Sequence, residues 1–361
     1  MSALTDELKL GLDAPICLTW ELTYACNLAC VHCLSSSGRR DPSELSTAEA
    51  KAVIDEMRAL QVFYVNIGGG EPMIRPDFYE LVDYATTNGV GVKFSTNGSR
   101  IDAEGAKRLT AMPYTDIQIS IDGADAVTND AVRGAGSFAT ARSAMDHLAA
   151  AEFGPFKISV VMTRQNIPQL DEFEALANSY GAELRLTRLR PAGRGADTWH
   201  ELHPTQDQQV DLYHWLLERP GVLTGDSFFH LNALGEEDLP GLNLCGAGRV
   251  VCLIDPVGDV YACPFVVGVV REVDGLREPA LKSRVGGNQF CHFLWVASQD
   301  DHHGVPPVLN VLHHRVNSFA AKVLFAASGQ RVSLVDQQDS AVGRIEDLFD
   351  LRCGLAYKTD H

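Results

Sequence analysis

The chain has 361 residues, 45% hydrophobic and 21% charged, a globular balance that excludes wholesale disorder and suits one large α/β domain with an appendage. Its 30 Lys and Arg against 47 Asp and Glu give a net charge of −17, which argues against a nucleic-acid partner. No run approaches the ~20 apolar residues of a membrane span, and the opening segment carries Asp6, Glu7 and Asp13 with no apolar stretch, so a cytoplasmic chain with no membrane partner is expected.

From Ile16 to about Arg190, strand-like apolar runs alternate with segments of helical period. Strands are expected at Ile16–Leu22, Val62–Ile67, Gly91–Ser95, Asp116–Ile121, Lys157–Thr163 and Glu183–Arg188. Helices are expected near Ser46–Leu60, Pro76–Asn88, Ala103–Ala111, Ser137–Ala151 and Gln169–Tyr180, the first opening on Ser46-Thr47-Ala48-Glu49, a capping box. That order predicts parallel strands joined by crossover helices. Six such units fall short of a closed eightfold barrel, so the expected fold class is α/β, a partial (βα)6 barrel whose working face is the C-terminal end of its strands.

The expected organisation is an N-terminal segment over 1–14, the barrel over 15–200 and a connection over 201–243. A cysteine-bearing second region then covers 244–265, and 266–361 is a tail of unknown fold. Pro191–Gly195 reads as a linker, Pro204–Leu217 as a helix and Pro256-Val257-Gly258-Asp259 as a turn.

Nine cysteines is an odd number, and at close spacing in a reducing compartment they read as ligands or reactive groups. Cys26, Cys30 and Cys33 form Cys-x3-Cys-x2-Cys directly after the first strand. Three thiolates can hold three irons of a cubane cluster and leave the fourth open. A zinc knuckle or buried thiols are the alternatives, although zinc normally completes four protein ligands. His32, inside the triplet, reads as a residue packed beside whatever the loop binds. Gly68-Gly69-Gly70-Glu71-Pro72 follows the second strand. Its glycines allow backbone to approach a ligand, and Glu71 supplies an acceptor suited to an ammonium group. The Lys-Ser/Thr of a phosphate loop is missing.

Together, in this order on successive strands, the two motifs resemble the radical S-adenosylmethionine (SAM) superfamily, over roughly Pro15 to Arg190. The resemblance implies a [4Fe–4S] cluster on Cys26, Cys30 and Cys33, with the methionine end of SAM on the open iron. Gly69, Gly70 and Glu71 would meet the methionine amine, while Ser95 and Asn97 after the third strand and Ser120 and Asp122 after the fourth would line the SAM site. It also implies an external electron donor and homolytic cleavage of SAM to a 5′-deoxyadenosyl radical that removes a substrate hydrogen.

Cys245 and Cys263, in Cys-x12-Gly-x4-Cys around Gly258, resemble the opening of a SPASM domain, an extension that holds auxiliary iron–sulfur clusters. The family's later cysteines do not follow; only Cys291 and Cys353 remain. The SPASM-like extension is therefore incomplete, any auxiliary cluster lacks ligands, and the tail is either divergent or frame-shifted past residue 265. Cys252 reads as a buried hydrophobe, and His302, His303, His313 and His314 as solvated.

Gly11–Cys26 and Cys33–Ser37 resemble the mycofactocin radical SAM maturases. So do Val62–Ile67, Leu189–Pro191, Gly193–Asp197, Thr224–Leu231 and Cys245–Phe265. For that family the implied reaction is oxidative decarboxylation of the C-terminal tyrosine of a small ribosomal precursor peptide, followed by its crosslinking to the preceding valine. A small peptide-binding chaperone presents the substrate. Arg188, Arg190 and Arg194 are candidates for the peptide carboxylate through bidentate pairing, beside the plain alternative of a solvated basic loop. The broken tail supports a rival of another class, a catalytically compromised scaffold that binds SAM or peptide without completing the reaction.

Overall fold

The computed structural model describes residues 17–225, 227–239, 251–261, 264 and 283–284. Strands β1 (Cys17–Thr23), β2 (Tyr64–Gly69), β3 (Gly91–Thr96), β4 (Thr115–Ser120), β5 (Lys157–Met162) and β6 (Glu183–Arg188) form one sheet in the order β6-β5-β4-β3-β2-β1, each pair parallel. Between them run α1 (Thr47–Ala59), α2 (Phe78–Thr87), α3 (Ala103–Thr110), α4 (Ala126–Arg133), α5 (Ser137–Ala150) and α6 (Leu170–Ser179). This is the expected α/β partial barrel, with α4 as an additional helix. The capping box is present at α1, where Glu49 N–H donates to Ser46 Oγ and Ser46 N–H to Glu49 Oε2.

The period-2 pattern of the strands separates two faces. Leu18, Trp20 and Leu22 on β1, Val65 and Ile67 on β2, Val92 and Phe94 on β3, and Ile117 and Ile119 on β4 are buried in the apolar core. Phe94 meets Phe78 of α2 edge-on with ring centroids 5.0 Å apart, so this face packs against the helices. The intervening positions are polar: Thr19 and Glu21, Asn66, Lys93 and Ser95, Gln118 and Ser120, Ser159, Arg185 and Thr187. They lie side by side across the strands, with Thr19 level with Asn66, Asn66 with Lys93, and Ser95 with Gln118. A face this polar cannot be a second packing layer; it is a lining.

After β6 come α7 (Arg194–Asp197), α8 (Trp199–Leu202) and α9 (Gln206–Leu217), the last burying Leu212, Tyr213 and Leu216 in the same core. Strand β7 (Val251–Ile254) then joins the barrel sheet, parallel to β1 with Leu18 opposite Cys252, and β8 (Asp259–Tyr261) returns antiparallel. The Asp255 carboxylate turns that hairpin by accepting from the N–H groups of Val257 and Asp259, and Gly258 takes φ +88°. A two-residue β9 (Ser283–Arg284) completes the sheet beyond β8. The region after residue 250 thus shares the barrel's sheet through β7. Cys245, Cys263, Cys291, Cys353 and the four tail histidines lie outside the described residues. Among the described residues no helix is long and apolar enough to cross a membrane.

Candidate active site

The cysteine loop leaves β1 at its C-terminal end, and its shape is imposed by four other loops at that end of the barrel. It closes on itself where Cys26 N–H donates to Gly38 O and Gly38 N–H to Tyr24 O. The glycine motif packs directly on its start. Gly70 N–H donates to Thr23 O at 2.7 Å and Glu71 N–H to Ala25 O at 2.9 Å. A Cβ on Gly70 would come within 2.1 Å of Ala25 O, and Gly69, at φ +99°, would bring one to 2.6 Å from Thr23 O. Both positions therefore need glycine so that the two loops can touch.

Glu71 is buried and its carboxylate is spent on the protein: Oε1 accepts from Thr96 Oγ1 and Met73 N–H, and Oε2 from Asn97 N–H at 2.8 Å. Burial pushes its pKa up to about 7, against the lowering effect of those donors. The β3 loop is thereby tied to the β2 loop, and Asn97 Nδ2 reaches back to Asn27 Oδ1 in the cysteine loop. Behind them a buried ion-pair network holds the base of the motif. Arg75 donates to Glu44, Asp77 and the carbonyls of Leu22 and Leu45, while Glu44 accepts from Thr23 Oγ1.

Asp122 sits at the centre of the β4 loop with every polar group engaged. Its N–H donates to Asn129 Oδ1, its carbonyl accepts from Asn166 Nδ2, and Oδ1 accepts from Val161 N–H. Oδ2 lies 2.7 Å from His32 Nε2 and 2.6 Å from Arg133 Nε. Buried as it is, Asp122 is held below the ordinary carboxylate range by Arg133 and His32, which outweigh the desolvation. Helix α4 reaches this spot because residue 123 is glycine; a Cβ there would lie 2.2 Å from Asn129 N.

The residues expected at a linker form the fourth brace. Arg194 N–H donates to Cys33 O, its Nε to Cys30 O at 2.8 Å and its Nη1 to Ser37 O at 3.0 Å. Thr198 Oγ1 donates to Val31 O. Gly193, at φ +54°, would place a Cβ 2.3 Å from Leu34 O. The sequence offered Arg194 as a candidate for a peptide carboxylate beside the alternative of a solvated basic loop; its guanidinium instead caps the carbonyls of the cysteine loop. Arg188 stays at the end of β6; burial, with the charges of Arg164 and Arg188, lowers the pKa of His203 to about 4, and burial, with Arg188, lowers that of His230 to about 4.

Sequence reasoning located the two motif loops and the turns after β3 and β4. It missed Arg133, Asn129 and the Arg194 clamp, and the only sequence trace of the lining was the polar half of each strand's alternation. Ser95 and Ser120 lie half-buried on the lining, Ser95 Oγ accepting from Gln118 Nε2.

The donor set fits an iron–sulfur cubane. Cys26, Cys30 and Cys33 are free, half-buried and unshared with any disulfide. Among the described residues no three His, Cys, Asp or Glu side chains converge as a single metal ion requires, whereas a cubane binds its thiolates through separate irons. Burial pushes the Cys26 and Cys30 thiols up, opposed chiefly by the Leu28 N–H at Cys26 and by Arg133 at Cys30. His32 Nδ1 is buried with no protein partner, the kind of atom a bound ligand satisfies.

Residues 20–177 match the radical SAM superfamily. The mycofactocin maturase MftC of Mycobacterium tuberculosis is 68% identical over 266 residues, 73% of this chain and 68% of that protein. This chain belongs to the mycofactocin maturase family of radical SAM enzymes. The family's cofactors are a [4Fe–4S] cluster and SAM. An AdoMet-dependent heme synthase of Methanosarcina barkeri is 32% identical, over 72% of this chain and 80% of that one. The fold matches Streptococcus suis SuiB bound to S-adenosylmethionine, with a TM-score of 0.61 at 16% identity, over 78% of this chain and 65% of that one. It also matches anSMEcpe with bound AdoMet, with a TM-score of 0.54 at 16% identity, over 70% and 76%.

Proposed function

We propose that this chain is a peptide maturase that oxidatively decarboxylates the C-terminal tyrosine of a small ribosomal precursor peptide and joins that residue to the preceding valine. The 68% identity to mycofactocin maturases carries this reading over a small-molecule enzyme of the heme synthase kind, which is only 32% identical. A small peptide-binding chaperone and an external electron donor are its further partners.

In this reading Cys26, Cys30 and Cys33 hold the cluster. When bound, cluster and SAM supply one-electron cleavage of SAM and a hydrogen-abstracting radical. The chain's own groups bind and orient. The Gly69–Gly70 backbone, fixed against Thr23 and Ala25, presents its polar edge to the methionine end of SAM, and Glu71 holds that edge in register through Thr96 and Asn97. Asp122 works through His32, whose Nδ1 is buried without a protein partner. Ser95 and Ser120 offer hydroxyls on the lining. Arg188 offers a bidentate charge for the peptide carboxylate, with His203 and His230 kept neutral beside it at pH 7.

Peptide dependence is the test. With iron, sulfide, reductant, SAM and chaperone, release of 5′-deoxyadenosine should rise with a tyrosine-ending precursor and fall sharply with the same peptide lacking its last residue. Equal release with both would overturn the peptide assignment.

A further inference from the structure

The Asp122–His32–Arg133 group is more than a brace, because of where its one permanent cation lies. Arg133 ends α4, and the preceding Val132 carbonyl accepts from Val31 N–H at 3.0 Å, which fixes this helix end beside the middle of the cysteine loop. The Arg133 side chain is 11% exposed and its Nε meets Asp122 Oδ2, while Val161 N–H holds Oδ1. Two turns of sequence lock it there. Asn129 clamps the Asp122 N–H, and Asp130 closes the α4–α5 corner by accepting from Gly136 N–H, Ser137 Oγ and Phe138 N–H. Arg194, another cation at the loop, spends its guanidinium on the carbonyl oxygens of Cys30 and Ser37.

We propose that Arg133 is a positioning residue that sets the reduction potential of the cluster held by Cys26, Cys30 and Cys33, its charge favouring the reduced state and Asp122 opposing it from behind. The proposal rests on the three-cysteine assignment above. Its physical basis is that reduction adds one negative charge to the cluster, and a buried cation in a low-dielectric wall stabilises that charge far more than an exposed one. The geometry sets Arg133 beside the loop: Val31, next to Cys30, bonds the Val132 carbonyl, and His32, next to Cys33, meets the same Asp122 carboxylate oxygen as the Arg133 guanidinium.

The opposed charges give opposite predictions. In the reconstituted full chain, the midpoint potential of the SAM-responsive cluster signal is followed by electron paramagnetic resonance during redox titration, with iron counted per chain. Arg133→Met should move the midpoint to more negative potential, Arg133→Lys should restore most of it, and Asp122→Asn should move it to more positive potential. A merely structural role would lower iron content in all three and leave the midpoint of the loaded fraction alone. An unchanged midpoint in loaded Arg133→Met overturns the proposal. If that variant takes up no iron, Asp122→Asn decides: a positive shift supports the proposal and an unchanged or negative one overturns it. Wild-type chain that binds no iron would sink the three-cysteine assignment itself, a failure distinguishable from the others by the iron count alone.

Discussion

On the helix-facing side of the sheet, Phe94 is fully buried edge-on to Phe78, in an apolar core that includes Val92, Ile117 and Leu109. At the C-terminal ends of the same strands the buried groups are Glu71, Arg75 and Asp122, each tied to at least two partners, with the largely covered Arg133 held on Asp122. The first region lowers free energy by removing apolar area from water, and its members are interchangeable within volume limits. The second raises it unless every polar group is satisfied, so its members are fixed in identity and direction. Substitutions on the first side should therefore change stability and leave the cluster loop's chemistry alone, whereas substitutions at the mouth should act first on that chemistry.

The sharpest break in that comparison is Cys30→Ala. Two thiolates cannot hold a cubane with one open iron, so 5′-deoxyadenosine formation should be lost while chemical denaturation of the chain without its cluster is little changed; undiminished cleavage would contradict the assignment. Phe94→Ala tests the opposite side. It should cost about 3–5 kcal/mol in urea unfolding and leave the cluster's spectroscopic signal, in the folded fraction, unaltered. A changed signal would mean that the two regions are coupled.

Glu71→Ala removes the tie between the β2 and β3 loops. Loss of hydrogen bonds to a carboxylate costs about 1.5–3 kcal/mol, roughly 10- to 150-fold in affinity, so SAM binding by calorimetry should weaken to that degree with the cluster absorbance intact. Unchanged affinity would confine Glu71 to the fold. The smallest effect is at Asp77, whose pKa the Arg75 hydrogen bonds hold at about 2, below its ordinary 3.8. A depressed carboxylate adds stability that is complete above 3.8 and is lost as pH falls through about 2. Asp77→Asn should flatten unfolding stability across that window and leave its slope at neutral pH unchanged.

The difference between the regions also explains what the sequence disclosed. Strand and helix positions were legible because Val92-x-Phe94 or Ile117-x-Ile119 announces its period locally, and the motif loops because Cys26, Cys30 and Cys33 or Gly69, Gly70 and Glu71 sit close in sequence. Helix α4 was not, since Ala126–Arg133 mixes Val, Thr, Asn and Asp and ends at a glycine, a pattern with weak helical propensity. Nor was Arg194: its contact with Cys30 spans 164 positions, and no spacing rule reports such a pairing. The parallel joining of β7 to β1 was hidden for the same reason. Glu71 and Asp122 were read from the sequence as residues of the SAM site; in the structure the Glu71 carboxylate is held by Thr96, Met73 and Asn97 and that of Asp122 by Val161, His32 and Arg133, partners that no local spacing announces.

The central claim is that this mouth serves peptide modification, and the most direct measurement is mass analysis of the peptide itself. The reconstituted full chain is incubated with reductant, SAM, chaperone and the tyrosine-ending precursor. The account predicts 5′-deoxyadenosine together with a peptide that has lost carbon dioxide from its C-terminal tyrosine, and then the crosslinked product. Accumulation of 5′-deoxyadenosine with the peptide mass unchanged would contradict it and favour the compromised scaffold.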